Sequence, residues 1–165
     1  MEFKLIQYQG KDRLTCSVDS FPEGIRLAYH LPETRNLVWP SYCGLFRADR
    51  LWLSTCFELF LGTENQSQYI ELNVTPSGAW NCYHFDKYRS GMRESGAWDL
   101  QEVAIRNGVF SATFLGQLTS RMIRVAPAVI LQLKSAKLDY FAISHAAQPD
   151  FHDPGRHVFV SANDL

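Results

Sequence analysis

The sequence predicts an all-β protein, a two-sheet antiparallel β-sandwich of jelly-roll-like type. Apolar runs of about four to eight residues recur along the chain between clusters of Gly, Pro, Asn and Asp, which is the rhythm of strands and turns. Aromatic residues make up 13% of the 165 positions, and no segment shows the apolar stripe of an ordinary amphipathic helix.

The expected strands begin at 3–8, 14–18 and 25–31. The segment 32–50 carries Pro, Asn and Ser together with Trp39, Tyr42 and Phe46, and reads as a long irregular connection, of the kind that is often functional or packed over a core. A strand over 52–61 lies in the apolar run "LWLSTCFELFLG". Strands at 68–75 and 79–85 flank Pro76 and Gly78, which suit a turn centred on Pro76-Ser77. In "EVAIRNGVFSATF" the pair Asn107-Gly108 supplies the two positive φ angles of a type I′ turn between strands 102–106 and 109–115. Runs at 123–126, 128–134 and 138–144 complete the set. The length suits a single domain spanning residues 1–165.

With 16 Lys plus Arg against 17 Asp plus Glu, the net charge is -1. The basic residues are scattered rather than gathered into a stripe, which argues against a nucleic-acid partner. No stretch approaches the roughly 20 apolar residues that span a bilayer, so no membrane partner is expected and the cytoplasm is the expected location. Cys16, Cys43, Cys56 and Cys82 are widely spaced without a Cys-x-x-Cys pair, and are expected as reduced thiols.

Alternation along the strands points to one polar face. Ile70, Leu72 and Val74 share one side of their strand, and Tyr69, Glu71, Asn73 and Thr75 the other. The expected turn sets Asn73 opposite Trp80, Glu71 opposite Cys82 and Tyr69 opposite His84. In "LWLSTCFELFLG" parity groups Glu58 with Trp52 and Phe60. A carboxylate beside an aromatic ring on a strand suits a hydroxyl-rich ligand: the carboxylate accepts hydrogen bonds while the ring stacks on an apolar sugar face. The alternative is an exposed Glu58, or one paired with an Arg such as Arg89.

Three blocks in order, "RADRLWLSTCFELFLG", "YIELNVTPSGAWNCYHFDKYRSGM" and "AISHAAQPDFHDPG", resemble the DOMON-like domains related to family 9 carbohydrate-binding modules. The resemblance covers about Arg47 to Gly155. It implies a β-sandwich of carbohydrate-binding-module type without catalytic residues, whose relatives clasp sugar ends between aromatic rings and polar side chains. Some wider DOMON relatives bind haem. On this resemblance Trp52 matches a stacking tryptophan, Glu58 the hydroxyl-binding carboxylate and Asn73 the sheet asparagine. Glu71 stands where sugar-binding relatives tend to place an arginine, and no second stacking tryptophan appears near the carboxyl terminus. With no dense acidic loop, neither a metal nor a cofactor is expected.

Other constellations stay open at this level. His145, Asp150, His152, Asp153 and His157 crowd into "SHAAQPDFHDPGRH", a hydrogen-bonded loop at the rim of the site, with ligand contact through His152 or a metal as alternatives. Met92 with a histidine is an alternative haem axial pair. Glu58 and Glu71 are an alternative carboxylate pair of a sugar-acting enzyme. Arg89 is expected to pair with Glu58 or Glu71, or to reach an acidic group of a ligand. The expected ligand set is therefore Trp52, Glu58, Glu71, Asn73, Arg89 and His152, around a small-molecule ligand of carbohydrate type.

Overall fold

The computed structural model describes residues 1–31 and 36–165. The first four residues of the expected irregular connection, 32–35, lie outside the described residues. The chain is all-β, with 55% of residues in strands and 6% in short helical turns. The described residues form thirteen strands: β1 (Glu2–Gln7), β2 (Arg13–Phe21), β3 (Gly24–His30), β4 (Phe46–Arg47), β5 (Cys56–Thr63), β6 (Tyr69–Val74), β7 (Ala79–Phe85), β8 (Arg93–Glu94), β9 (Trp98–Arg106), β10 (Val109–Gly116), β11 (Met122–Gln132), β12 (Leu138–Ala142) and β13 (Val158–Ser161).

These strands form one sheet in the order β4-β7-β6-β5-β11-β12-β1-β2-β3-β10-β9, with β8 beside β7 and β13 beside β11. This corrects the expected division into two antiparallel sheets. The ladder is continuous, and it is mixed because β4 runs parallel to β7. The sheet curls into a half-barrel. One core gathers Phe57, Leu59, Leu72, Val74 and Trp80 from one limb with Cys16, Leu27, Tyr29, Phe110 and Phe114 from the other. At its centre Phe57 stacks on Phe110 at 3.8 Å between ring centroids, and Tyr29 leans on Phe57 at 5.0 Å. The Tyr29 hydroxyl donates to the Glu58 carbonyl at 2.7 Å, so this buried hydroxyl has a partner.

Several local rules decide the elements. Asn107 and Gly108 both have positive φ, 51° and 77°, and close the β9–β10 hairpin with Arg106 opposite Val109. Pro127 does not end a strand as expected. It lies between the segment of β11 that pairs with β13 (Met122–Val125) and the one that pairs with β12 (Ala128–Gln132), where the ladder on that side changes partner. The β6–β7 register also differs by one from expectation. Asn73 faces Asn81, Glu71 faces Tyr83 and Tyr69 faces Phe85. The loop is one residue longer than the expected turn: Thr75 N–H donates to Ala79 O at 2.9 Å, and Gly78 takes a φ of 90°. A Cβ at Gly78 would meet Gly44 O at 2.1 Å, so only glycine fits there.

The shift by one sends Trp80 and Cys82 into the core and puts Asn81, Tyr83 and Phe85 on the opposite face. Strand β5 begins at Cys56 rather than residue 52, because Leu51–Leu53 form a 3-10 turn stabilised by Leu53 N–H to Arg50 O at 3.2 Å. Strand β6 turns away after Val74, which pairs with Phe57, so residues before Cys56 have no ladder partner on that side. Within the expected irregular connection, Leu37 and Trp39 pack on the core and Phe46–Arg47 form β4.

If the curl is held by the Phe57–Phe110 stack, Phe57→Ala should cost about 3–5 kcal/mol in a chemical denaturation midpoint experiment. Truncation of Leu53, 63% exposed, should cost less than about 0.5 kcal/mol. Equal effects at the two positions would contradict this packing.

Candidate functional site: a carboxyl pair under an aromatic cavity

The face of β5, β6 and β7 that turns away from the core carries Glu58 and Phe60, Tyr69, Glu71 and Asn73, and Asn81, Tyr83 and Phe85. Phe60, Tyr69, Tyr83 and Phe85 join Ala126 and Ala128 of β11 in a second apolar cluster, against which Trp52 and Phe151 pack. The small alanines leave room above the sheet. A cavity of ≈ 400 Å³ lies there, lined by Trp52, Leu53, Glu58, Glu71, Phe85, Arg89, Met92, Ile130, Leu138, Tyr140, Pro149, Phe151 and His152.

Of the six side chains expected at a ligand site, five line this cavity: Trp52, Glu58, Glu71, Arg89 and His152. Asn73 does not. It is fully buried, and its Nδ2 donates to Glu71 Oε1 at 2.7 Å, so it positions a carboxyl group from beneath. Trp52 arrives by a route that strand parity does not describe. It sits in the 3-10 turn and meets Tyr83 edge-on at 5.9 Å. The segment before it is tied to β7 by Arg47 Nη1 to Asn81 Oδ1 at 3.1 Å, Asn81 Nδ2 to Ala48 O at 3.2 Å and Tyr83 Oη to Asp49 Oδ1 at 2.7 Å.

Glu58 and Glu71 are both only 3% exposed and are diagonal neighbours, since Glu58 faces Asn73 and Phe60 faces Glu71. Glu58 Oε1 has no hydrogen-bond partner. Burial, and then the Glu71 charge, push the Glu58 carboxyl far above the ordinary range, against a weaker pull from Cys56 and Arg89. Burial also lifts Glu71 to about 7, although Asn73 and Arg89 favour its charged form. Two such groups resist joint ionisation, so at neutral pH the pair retains at least one proton.

Arg89 does not pair with either glutamate as expected. Its φ is 50°, and its Nε and Nη2 both donate to Asp150 Oδ1, at 3.2 and 2.9 Å. Asp150 also accepts from Tyr88 Oη and, at 3.1 Å, from His152 N–H. Burial raises the Asp150 carboxyl, but Tyr88 and Arg89 outweigh it and hold the group below the usual carboxylate range. This cluster joins the turn after β7 to the loop between β12 and β13.

Tyr69 Oη accepts from Arg89 N–H at 3.2 Å and lies 2.8 Å from His152 Nδ1. Nδ1 is thus engaged by the tyrosine hydroxyl, and the other ring nitrogen, Nε2, lies 3.8 Å from Glu71 Oε2. Burial, with the Arg89 charge, lowers His152 to about 4, so its approach to Glu71 is not an ion pair at pH 7.

The other loop histidines serve the backbone. His145 Nε2 meets Ile6 O at 2.8 Å and His157 Nε2 meets Phe151 O at 2.9 Å. Among the described residues no three His, Cys, Asp or Glu side chains converge as metal ligands. Met92, expected as a haem ligand on the alternative reading, lines the same cavity as His152.

The sequence reasoning missed Phe85, Tyr140 and Phe151. Parity contained a signal for Tyr140, because Phe141 beside it is a core residue and sends its neighbour to the cavity face. Phe85 needed the true β6–β7 register, and Phe151 needed the docking of its loop.

The fold and the cavity define a class: an all-β chain whose single curled sheet carries a half-polar, aromatic-walled cavity on the face opposite its core. No known family model and no curated protein matches the chain. Among solved structures it is similar to a crystal structure from Bacteroides uniformis described as a "putative carbohydrate-binding protein", with a TM-score of 0.65 at 12% sequence identity over 96% of this chain and 86% of that one. At that identity the likeness shows a shared fold.

The raised carboxyls have a measurable cost. Below about pH 4.5 both glutamates are neutral whether the chain is folded or unfolded. As pH rises past that point the unfolded chain ionises first, so these groups reduce stability through about pH 7 for Glu71 and further for Glu58. His152, neutral when folded, acts in the opposite sense between about pH 4 and 6.5. Glu58→Gln should therefore stabilise the protein by roughly 1–3 kcal/mol at pH 8 and change it little at pH 4.5, read as a difference in denaturation midpoints. A gain that did not depend on pH would contradict the assigned protonation.

Proposed function

We propose that the protein is a non-catalytic binding module of the DOMON-like, family 9 kind, and that it holds a small hydroxylated ligand, a saccharide, in the cavity above β5–β7. On this reading the curled sheet is a variant of the family 9 sandwich in which both layers share one ladder. The observation that carries the proposal is the convergence of Trp52, Glu58, Glu71, Arg89 and His152 on one cavity. Its volume, ≈ 400 Å³, lies within the range of small-molecule sites.

The roles follow from the chemistry of each side chain. The free Oε1 of Glu58 accepts from a sugar hydroxyl, and His152 Nε2 forms a hydrogen bond with another. Trp52, with Tyr140 and Phe151, offers ring faces or edges to the apolar side of a pyranose. Arg89, already held by Asp150 through Nε and Nη2, contributes its remaining N–H groups. The likeness to a protein described as carbohydrate-binding supports the same class of ligand. The proposed location is the cytoplasm, in keeping with four free cysteines, three of them buried.

Two alternatives each have an observation in their favour. Glu71, held near 7 beside a second carboxyl, suits a general acid, and Met92 with His152 at one cavity suits an axial pair for haem.

One set of measurements separates these readings. In calorimetry with mono- and disaccharides, Trp52→Ala should weaken binding by roughly 30-fold or more, with a melting temperature within a few degrees of the unaltered protein. A large drop in melting temperature would assign Trp52 to the core instead. Turnover of a glycoside by the unaltered protein would establish the enzyme, and a Soret band on haem addition the haem module.

A further inference from the structure

The cavity floor holds two acids without a cation assigned to them. Glu58 and Glu71 are nearly fully buried, and Arg89, the one cationic side chain among the described residues that lines the cavity, directs both Nε and Nη2 to Asp150. His152 is neutral at pH 7 and spends Nδ1 on Tyr69. The consequence is visible at Glu58, a side chain that lines the cavity and whose Oε1 is buried and has no partner. A buried polar atom left in this state is unfavourable, and any ligand that supplies a donor relieves it. A neutral hydroxyl does so once. An ammonium group does more, because it brings three donors together with the charge that lets one of the two carboxyls ionise. The walls fit the same group: Trp52, Tyr140 and Phe151 border the acids, and aromatic faces attract a desolvated cation.

From this geometry we infer that the ligand carries a primary ammonium group seated against Glu58 and Glu71 beneath the aromatic wall. It is an amino sugar, where the saccharide reading above supplies the rest of the molecule.

At about pH 6.5, below the value of about 7 for Glu71 and further below that of Glu58, the empty pair is mostly protonated at both acids. One ammonium balances one carboxylate, so binding releases about one proton to solvent while the other acid stays protonated and the ammonium keeps its own hydrogens. Other titratable groups face the pair. Cys56 comes from β5, Tyr69 from β6, Tyr83 from β7 with Asp49 beyond it, and Tyr140 from β12. Tyr88 and Arg89 approach from the turn after β7, and Asp150 and His152 from the covering loop. Burial raises the Cys56 thiol and the Tyr69 and Tyr83 hydroxyls, and Arg89 and Asp150 compensate each other, which leaves the two glutamates as the source of the proton.

The test is calorimetry of the full chain at about pH 6.5 with glucosamine, N-acetylglucosamine, glucose and cyclohexylamine, repeated in buffers of different ionisation enthalpy. Glucosamine is expected to bind at least about tenfold more tightly than glucose or N-acetylglucosamine, with release of about one proton. That preference should vanish in Glu58→Gln or Glu71→Gln variants whose melting temperature is not lowered; two variants are named so that a folding defect in one still leaves the other. Equal affinity for glucose and glucosamine without proton release overturns the inference and leaves the saccharide reading standing. Binding of cyclohexylamine with proton release, but of no sugar, keeps the ammonium site and overturns the saccharide reading. No binding of any of the four compounds overturns both.

Discussion

The structure depends on strict two-residue alternation along β5 and β6, two strands covered on both sides. Phe57, Leu59 and Leu72 are committed to the core that holds the two limbs of the sheet together. The residues between them, Glu58, Phe60, Glu71 and Asn73, are thereby fixed on the other face, and there too they are buried. A slip of one residue would drive two carboxyl groups into the Phe57–Phe110 stack, so the core enforces the placement of the acids. Tyr29 links the layers directly, since its hydroxyl from the far limb holds the carbonyl of Glu58.

That placement generates an electrostatic problem that the surrounding loops do not solve. Burial makes the charged form of each glutamate expensive, and each glutamate makes the other's worse. The cation best placed to compensate, Arg89, is drawn away by Asp150, which collects donors from Arg89, Tyr88 and the backbone of His152. Asn73 below Glu71 fixes its direction. The floor is thus preorganised, with its polar atoms in set positions and a proton in place of a countercharge.

Much of this was legible in the sequence where the chain's own neighbours decide the outcome. Asn107-Gly108 dictates its hairpin because few other pairs accept two positive φ angles, and the polar parity of Tyr69, Glu71 and Asn73 survives intact because it depends on nothing outside β6. What escaped depends on distant partners. The two-residue strands β4 and β8 exist because β7 offers them an edge. The β6–β7 register turned on one residue in a loop, settled by the close approach of Gly44 to Gly78. Trp52 was grouped with Glu58 for a reason the fold does not use, yet it reaches the same cavity because Arg47, Asp49 and β7 hold its turn there. The Arg89–Asp150 pair spans 61 residues, and spacing offered no sign that Arg89 would leave the glutamates for it.

Asp150 has a mechanical role as well as an electrostatic one. The turn carrying Tyr88 and Arg89 and the loop carrying Phe151 and His152 leave the sheet from strands that are not neighbours, β7 and β12, and one carboxylate fastens them to each other. Two walls that would otherwise be placed separately are thereby tied at one carboxylate. A displacement of either wall is therefore passed to the other through Asp150, so the outline of the cavity is set jointly by two segments far apart in sequence.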